Sequence, residues 1–449
     1  MNTSFTALAR RLFQRVAGLD PARLVLLGYA SYIVLGWAAL CLPWSVHAGV
    51  PATWLDHLFT ATSAVSTTGL ATVGTATTYT GFGEFVVLLL IQFGGLGYMT
   101  ISSCLLLAVS GRLEPWRERV GAASLALPAD FNVKQFLKLT VGYTLAIEAA
   151  GAYFLYPSFR DAGAEAPVWQ AVFHSVSAFC TAGFGLYGDS FESFRTDTFL
   201  NGTIIALSYL GAIGFIVVHD VWLSLAGRKL RVTFTTKVIL AATAAVSVVG
   251  TVLLALDEPL LQAMPAGERW LAAWFQVMTA STTVGFNTVP IGALSTSSLF
   301  LLVVVMIIGA SPAGTGGGLK TTTFTALWAV GMSVLRKRER PTFIGREIPV
   351  ARIRMAVAQA LFYGLTLGAG IYALALVQPD GNLADQMFEC ASALGTVGLS
   401  RGITGVLNEA GKLVVVALMF AGRVGPLGLG TVFFRPRETQ PAPEEDVVM

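Results

Sequence analysis

The sequence predicts an all-α membrane protein with eight transmembrane helices, arranged as four helix–pore helix–helix repeats around one pseudo-fourfold pore. Three observations predict it: an apolar composition, eight long apolar stretches, and four copies of a short Thr-x-Gly motif. Of the 449 residues, 54% are hydrophobic and 12% are charged, whereas soluble domains have about 25% charged residues. A soluble fold cannot bury so much apolar surface.

The eight apolar stretches are each long enough to cross a bilayer of about 30 Å. They span residues 24–43, 84–109, 137–157, 198–226, 236–256, 297–334, 355–377 and 408–434. Because the number of crossings is even, we expect both termini to lie on the same side of the membrane.

Charge asymmetry predicts which side that is. Most of the 29 Lys and Arg lie in the amino-terminal segment, in tracts at 112–138, 228–237 and 336–354, and in the tail. Cytoplasmic connections are enriched in Lys and Arg, so both termini are expected to be cytoplasmic. The more acidic connections at 44–57, 158–168, 257–269 and 378–385 should face outward.

The first 22 residues are basic and amphipathic and lack a small-residue cleavage site, which favours a cytoplasmic interfacial helix over a signal peptide. The four cysteines, Cys41, Cys104, Cys180 and Cys390, stand singly in apolar surroundings. We expect plain buried residues there, and neither a disulfide framework nor a zinc site.

Internal repetition is the strongest signal. After each odd-numbered stretch, a short Ser/Thr-rich segment ends in Thr, a small residue, Gly, and Leu or Phe. The four triplets are Thr67-Thr68-Gly69, Thr181-Ala182-Gly183, Thr283-Val284-Gly285 and Thr396-Val397-Gly398. The preceding segments are too short to span a bilayer, so each should enter from outside, turn at the Gly and return. Such backbone survives only where it lines water or is buried in protein.

This pattern suits a dehydrated monovalent cation. Four backbone segments aimed at one axis supply carbonyl oxygens that replace the hydration shell of K⁺, and Gly permits the positive φ that this requires. The negative carboxyl ends of four pore helices also favour a cation there. A single Gly in each copy predicts looser discrimination against Na⁺ than in a longer filter.

The repeats divide the chain into six parts. These are a cytoplasmic segment 1–23, pore repeats 24–111, 112–227, 228–335 and 336–436, and a tail 437–449.

The second crossing of the third repeat contains a Gly-rich interruption at 309–320, which cannot be a continuous helix. Irregular backbone at membrane depth should line the pathway, so we expect a gate below the filter. Its predicted residues are Gly309, Ser311, Pro312, Gly314, Gly316, Gly317, Gly318, Lys320 and Arg423. A phosphate-binding loop is excluded because Leu319 separates the last Gly from Lys320 and no strand precedes the loop.

Arg423 lies inside the last crossing, where a central charge costs about 2.5 to 3.5 kcal/mol. We expect it to face the pore as a barrier or latch, the alternative being a structural partner for loop carbonyls. Lys320 is explained equally well by gating and by snorkelling to the cytoplasmic surface. Asn287 and Asp189 follow two triplets and are expected at the outer mouth.

Together, the four Thr-x-Gly-Leu/Phe motifs, the Gly-Thr-Gly-Gly-Gly-Leu-Lys segment and Arg423 resemble the Ktr/Trk/HKT superfamily of K⁺ transporters, over residues 20 to 435. With no extra helix pair before the first repeat, the chain is more similar to the KtrB type than to the longer TrkH type. The second triplet departs from the family pattern, because Thr181 stands where Asn is frequent.

The resemblance implies a homodimer in the bacterial plasma (inner) membrane, with one pore in each subunit and K⁺ held by the triplet carbonyls. It implies a cytoplasmic KtrA/TrkA-like ring that binds ATP, ADP or cyclic di-AMP, and Na⁺ as an activator of uptake. The chain itself is expected to need no cofactor and no nucleic acid, only membrane lipid. The tracts 112–138 and 336–354 are candidate docking surfaces.

Three alternatives remain. A related pore passes Na⁺ as well as K⁺, although a Ser in place of Gly69 would be its signature. A secondary transporter for another solute is also built from broken helices, but usually as two inverted halves. An intramembrane enzyme finds no support, because HExxH and GxSxG are absent from the sequence and His174 and His219 stand singly.

Overall fold

The computed structural model describes residues 21–97, 133–227, 232–425 and 430. Several predictions therefore lie outside the described residues. They concern almost all of the interfacial helix over the first 22 residues, most of the basic tract 112–138, Cys104, and the 437–449 tail. In the described ranges, a long helix, a short helix and further helices follow one another four times.

In the first two rounds the helices are α1 (Pro21–Leu40), α2 (Trp54–Val65), α3 (Thr75–Thr78), α4 (Gly81–Leu96), α5 (Val133–Asp161), α6 (Pro167–Phe179), α7 (Thr198–Ala212) and α8 (Phe215–Leu225). In the last two rounds they are α9 (Phe234–Asp257), α10 (Pro259–Gln262), α11 (Ala266–Thr282), α12 (Thr296–Ile308), α13 (Thr321–Leu335), α14 (Val350–Val377), α15 (Leu383–Gly395) and α16 (Glu409–Val424). Two strands, β1 (Thr342–Phe343) and β2 (Arg346–Glu347), pair antiparallel between α13 and α14.

The long helices α1, α5, α9 and α14 coincide with predicted apolar stretches. Within the residues that the structure describes, three segments, Arg23–Leu40, Phe234–Asp257 and Val350–Val377, are long and apolar enough to cross a membrane, and α7 with α8 makes a fourth if the bent pair is one span. The long helices also expose large apolar side chains, among them Leu35, Tyr153, Leu256 and Tyr372. Water does not favour such a surface, whereas lipid does.

In the described residues, the second apolar helix of every round ends or bends at a glycine with positive φ. Only the break at 309–320 was expected, but α4 ends before Gly97, α7 and α8 meet at Gly214 at an angle of 94°, and α16 ends before Gly425. The φ values at these glycines, 79°, 92° and 88°, are incompatible with a continuous α-helix. The stretch 198–226 therefore forms two helices rather than one, and the described helices α4 and α16 end at Gly97 and Gly425.

Local sequence explains where the short helices begin and end. Thr53 and Asp56 form a capping box at the start of α2, and Asn382 caps α15, each satisfying free backbone N–H groups. Helices α11 and α15 end at Thr283 and Thr396, which both adopt the left-handed conformation. The ends of these helices are fully buried at the centre of the molecule.

Polar contacts join each round to the next. Trp169 Nε1 donates to Glu84 Oε2 at 2.6 Å, and Asn287 Nδ2 donates to Glu192 Oε1 at 2.8 Å. Arg401 reaches the Gly292 carbonyl at 3.5 Å. Finally, the Lys412 ammonium lies 2.7 Å from Asp56 Oδ1, which joins the fourth round to the first. The four rounds therefore form a closed ring.

Cys180 and Cys390 are buried as predicted, whereas Cys41 is exposed. Cys41 follows the end of α1, on the outer surface of the bundle.

Candidate functional site

The structure brings the four Thr-x-Gly triplets together at the centre of the ring, with one backbone conformation. Each threonine has a left-handed φ between 50° and 61°, and each glycine has a φ between 67° and 95°. A left-handed conformation costs a non-glycine residue roughly 1 to 2 kcal/mol. Four threonines held this way at equivalent positions indicate a functional constraint on the backbone.

The glycines of the triplets sit against one another in a closed cycle. A Cβ added to Gly69 would lie 2.5 Å from the Ala182 carbonyl oxygen of the next triplet. The same close approach recurs from Gly183 to Val284, from Gly285 to Val397, and from Gly398 back to Thr68. A side chain at any of these glycines would therefore strike a backbone carbonyl, and only glycine allows the ring to close.

Two serines of the short helices bind the backbone of this ring. Ser63 Oγ accepts the Gly69 N–H at 3.0 Å, and Ser392 Oγ accepts the Gly398 N–H at 3.0 Å. The aligned Ser177 and Thr279 hydroxyls of the second and third rounds have no hydrogen-bond partner. In all four rounds the backbone N–H of the middle triplet residue donates to the carbonyl of this same position, for example Val397 to Ser392 at 2.8 Å.

The segment 309–320, here called the central loop, lies directly against the triplet threonines. Thr315 Oγ1 is 3.1 Å from Thr181 Oγ1, and the Thr315 carbonyl is 3.4 Å from Thr67 Oγ1. The Gly317 N–H donates to Thr283 Oγ1 at 3.0 Å. A Cβ at Gly317 would strike Thr396 Oγ1. The central loop thus touches all four threonines.

The broken helix of the second round holds the central loop. The Ser311 and Thr315 N–H groups donate to the carbonyls of Ala212 and Gly211, both at 3.1 Å, and the Phe215 N–H donates to the Ala313 carbonyl at 3.0 Å. These contacts use backbone groups that a continuous helix would have paired internally. The unpredicted bend at Gly214 therefore frees backbone groups of α7 and α8 that bind the central loop.

Of the predicted gate residues, Ser311 and Gly314 contact Ala212 of α7 and Pro312 contacts Gly214, while Gly316 and Gly317 lie against Thr283 and Thr396. Gly309 and Gly318 approach so closely that a Cβ on either would lie 2.6 Å from the Cα of the other. Five of these seven residues are glycines, and the backbone packs in the space that a side chain would otherwise fill.

Arg423 meets both the loop and the ring. Its guanidinium donates to Thr67 Oγ1 at 3.0 Å and to the carbonyls of Thr315 and Gly94. Partnership with loop carbonyls, the alternative considered from the sequence, is therefore part of what it does. The Arg423 side chain therefore links the first triplet, the central loop and the end of α4.

Lys320 turns inward rather than toward the cytoplasmic surface. Its ammonium donates to the carbonyl oxygens of Gly316 at 2.6 Å and Gly317 at 3.4 Å, so snorkelling does not describe it. Asn287 and Asp189 bind neighbours in the connections that follow the triplets: Asn287 binds Glu192, and Asp189 accepts from Ser193.

Sequence reasoning missed two features of the site. Thr315 makes the central contacts of the loop, yet the predicted gate residues did not include it. A polar group also lies behind the second triplet, where buried Glu148 accepts Gln92 Nε2 at 3.1 Å and Cys180 Sγ at 3.6 Å. A charged residue inside an apolar stretch is the signal that points to such a group.

The chemistry available here is that of oxygen ligands. In the part of the chain that the structure describes, no group of three or more His, Cys, Asp or Glu is placed to hold a metal ion. The ring instead concentrates backbone carbonyls and threonine hydroxyls, the ligands preferred by hard cations such as the alkali metals.

Comparisons with known proteins identify relatives of this chain. The family model TrkH, described as a cation transport protein, matches residues 40–439. The chain is 34% identical to the Ktr system potassium uptake protein B of Vibrio alginolyticus, with 97% of this chain and 96% of the relative covered. It is 32% identical to the potassium/sodium uptake protein NtpJ of Enterococcus hirae, with 99% and 100% covered.

A solved structure, the potassium transporter TrkH from Vibrio parahaemolyticus, has the same fold, with a TM-score of 0.72, 20% identity, and coverage of 92% of this chain and 85% of that one. The resemblance seen in the sequence is confirmed by these findings, and the apolar helices fit a multi-pass membrane protein. The chain belongs to the TrkH family of cation transport proteins.

Proposed function

We propose that this chain takes up K⁺ across the bacterial plasma membrane through a channel-like pore. Eight crossings form four repeats, with α2, α6, α11 and α15 as re-entrant pore helices. The backbone carbonyls of the four triplets form the selectivity filter. The closed cycle of triplet glycines carries the proposal, because it brings four carbonyl-bearing segments to one axis at the spacing that only glycine permits.

The ion is argued from chemistry and from relatives. Carbonyl rings suit a dehydrated monovalent cation, and the Vibrio alginolyticus relative is named as a potassium uptake protein. A pore that passes Na⁺ as well is the second candidate, since the Enterococcus relative is named for both ions. Gly69 favours K⁺, because we expect a pore that passes Na⁺ to have Ser in that place.

The central loop is proposed as the gate and Arg423 as its latch. The loop lies against all four filter threonines, on the side away from the outer connections, so an ion leaving the filter meets it next. Arg423 supports this role by binding the filter through Thr67 and the loop through Thr315. Opening requires the loop to leave these partners.

The assembly is proposed as a homodimer bound to a cytoplasmic regulatory ring, with ATP, ADP or cyclic di-AMP bound on the ring only. Two relatives are named as parts of a Ktr system, which fits a chain that works with a second component. The connection 336–354, with the β1–β2 hairpin, is the described basic surface available for docking. The excess of Lys and Arg in these connections supports a cytoplasmic position for both termini.

The test is growth of a bacterium that lacks its own high-affinity K⁺ uptake, on low K⁺, with and without a co-expressed KtrA-like subunit. We expect the wild-type chain to restore growth and Gly69→Ser to abolish it at equal membrane abundance. No rescue in either setting would refute K⁺ uptake, and rescue by Gly69→Ser equal to wild type would refute the assigned filter.

A further inference from the structure

The segment that leaves each triplet is held by a side chain of the short helix that precedes the same triplet. In every round the contact falls on the residue five positions after the triplet threonine, although the residue types differ. The four pairs, here called the anchor contacts, are Asp56 with Thr72, His174 with Leu186, Gln276 with Thr288, and Asp385 with Arg401.

In the first and fourth rounds the anchor is an aspartate eleven residues before the threonine. Thr72 Oγ1 donates to Asp56 Oδ1 at 2.7 Å. The Arg401 guanidinium binds Asp385, and both side chains are more than three-quarters buried. Charge-assisted hydrogen bonds of this kind are stronger than neutral ones.

In the second and third rounds the anchor lies seven residues before the threonine. The Leu186 N–H donates to His174 Nε2 at 3.1 Å, so the other ring nitrogen carries the proton and donates to the Gln170 carbonyl at 2.8 Å. Gln276 Nε2 donates to Thr288 Oγ1 at 3.4 Å. His174 and Gln276 are completely buried.

The fourth round adds a second support from the position that His174 and Gln276 occupy in their rounds. Glu389 accepts Ser400 Oγ at 2.7 Å and also binds Thr404. This carboxylate is completely buried, and a buried carboxylate is retained only where hydrogen bonds satisfy it.

The same position, five residues after the triplet threonine, is bound by an imidazole in one round, an amide in another and carboxylates in the other two. This indicates that the fold requires a contact at this position, whichever residue type makes it. The chain leaving a triplet belongs to no helix or sheet and bends at the contacted residue in every round, so no regular pattern of backbone hydrogen bonds fixes it. Side-chain contacts with the short helix are then what hold it. Their distance from the triplet, five residues, is short enough to fix where the triplet glycine and its carbonyl lie.

We propose that Asp56, His174, Gln276 and Asp385, with Glu389, are positioning residues that set the width of the triplet ring and so its preference for K⁺ over Na⁺. This inference rests on the proposed function and deepens it, because it assigns part of ion selection to residues that do not touch the ion.

The test uses Thr72→Val and Thr288→Val, singly and together, since each removes an anchor contact with little change of volume. Thr77→Val is the matched control: Thr77 lies in the same connection as Thr72, but its hydroxyl binds only the Gly74 carbonyl. Purified variants are reconstituted in liposomes, and the ratio of K⁺ to Na⁺ influx is measured. Amide hydrogen exchange of segments 67–75 and 283–291 is followed on the same preparations.

Loss of the neutral bond between Gln276 and Thr288 changes an equilibrium by a factor of about two to ten, and loss of the charge-assisted bond between Thr72 and Asp56 changes it by more. We expect the double variant to lower the K⁺ to Na⁺ ratio by about fivefold or more and to speed exchange in both segments, while Thr77→Val does neither. On a Gln276→Leu background, Thr288→Val should have no further effect, which a general weakening of the fold would not produce.

An unchanged ratio in the double variant overturns the inference, even with faster exchange, because the anchors would then stabilise the fold without positioning the ring. An equal loss in Thr77→Val overturns it as well. Absence of K⁺ influx through the wild-type chain refutes the proposed function and with it the role in selection. In that case, faster hydrogen exchange in the anchor variants alone would show that the anchor contacts hold the triplet segments, but not that they select an ion.

Discussion

Replacing Ser63 and Ser392 with alanine removes the two side-chain oxygens that accept the N–H groups of Gly69 and Gly398, each at 3.0 Å. A neutral hydrogen bond contributes about 0.5 to 1.5 kcal/mol net, so the two together contribute about 1 to 3 kcal/mol. If that free energy holds the ring in its K⁺-binding geometry, the double variant should bind K⁺ about 5- to 150-fold more weakly.

The assay is thermal unfolding of the purified protein as a function of K⁺ concentration, because a bound ion raises the unfolding temperature according to its affinity. The matched control is the pair Ser177→Ala and Thr279→Val, at the aligned positions where the hydroxyls have no partner. We expect the control to keep the wild-type K⁺ dependence. Equal weakening in both pairs, or in neither, would refute the reasoning.

Three further predictions follow from other parts of the molecule. Arg423→Ala should raise K⁺ flux in liposomes severalfold, because the loop loses its charged link to Thr67; flux at or below the wild-type level would contradict the latch. Deleting 311–318 should also raise flux, and single-channel or tracer recordings that show a closed pore would contradict the gate. Burial of Glu258 opposes its ionisation, but hydrogen bonds from Ser298, Leu260 and Ser295 outweigh burial and lower its pKa. This stabilisation is therefore present above the ordinary carboxyl pKa and is lost as pH falls through the lowered value. Glu258→Gln should remove about 1 to 3 kcal/mol at pH 7 and flatten the acid limb of the unfolding-temperature profile; an unchanged acid limb would contradict it.

The parts of the site that repeat in the sequence were predictable from it. Four aligned Thr-x-Gly motifs identified residues that the structure brings into one ring. One motif alone would not have predicted the contact, because the copies lie far apart along the chain. The central loop was predictable because one Pro and several Gly in a short span cannot continue a helix.

The bend at Gly214 was not predictable, because glycines are tolerated within membrane helices and the apolar stretch 198–226 contains no Pro. Only tertiary contact decides the matter: the carbonyls freed at Gly211 and Ala212 are taken up by the loop. The anchor contacts were hidden for a different reason. The contacted residues lie at the same distance from each triplet but differ in type, so the sequence shows no repeated motif there.

The most direct measurement for the central claim is the position of Rb⁺, a K⁺ analogue, from anomalous scattering in crystals of the wild-type protein grown with Rb⁺ in place of K⁺. The account predicts density on the pseudo-fourfold axis, among the carbonyls of 67–69, 181–183, 283–285 and 396–398, and its loss in Gly69→Ser. Ordered Rb⁺ bound elsewhere in the membrane region, with none inside the triplet ring, would contradict it.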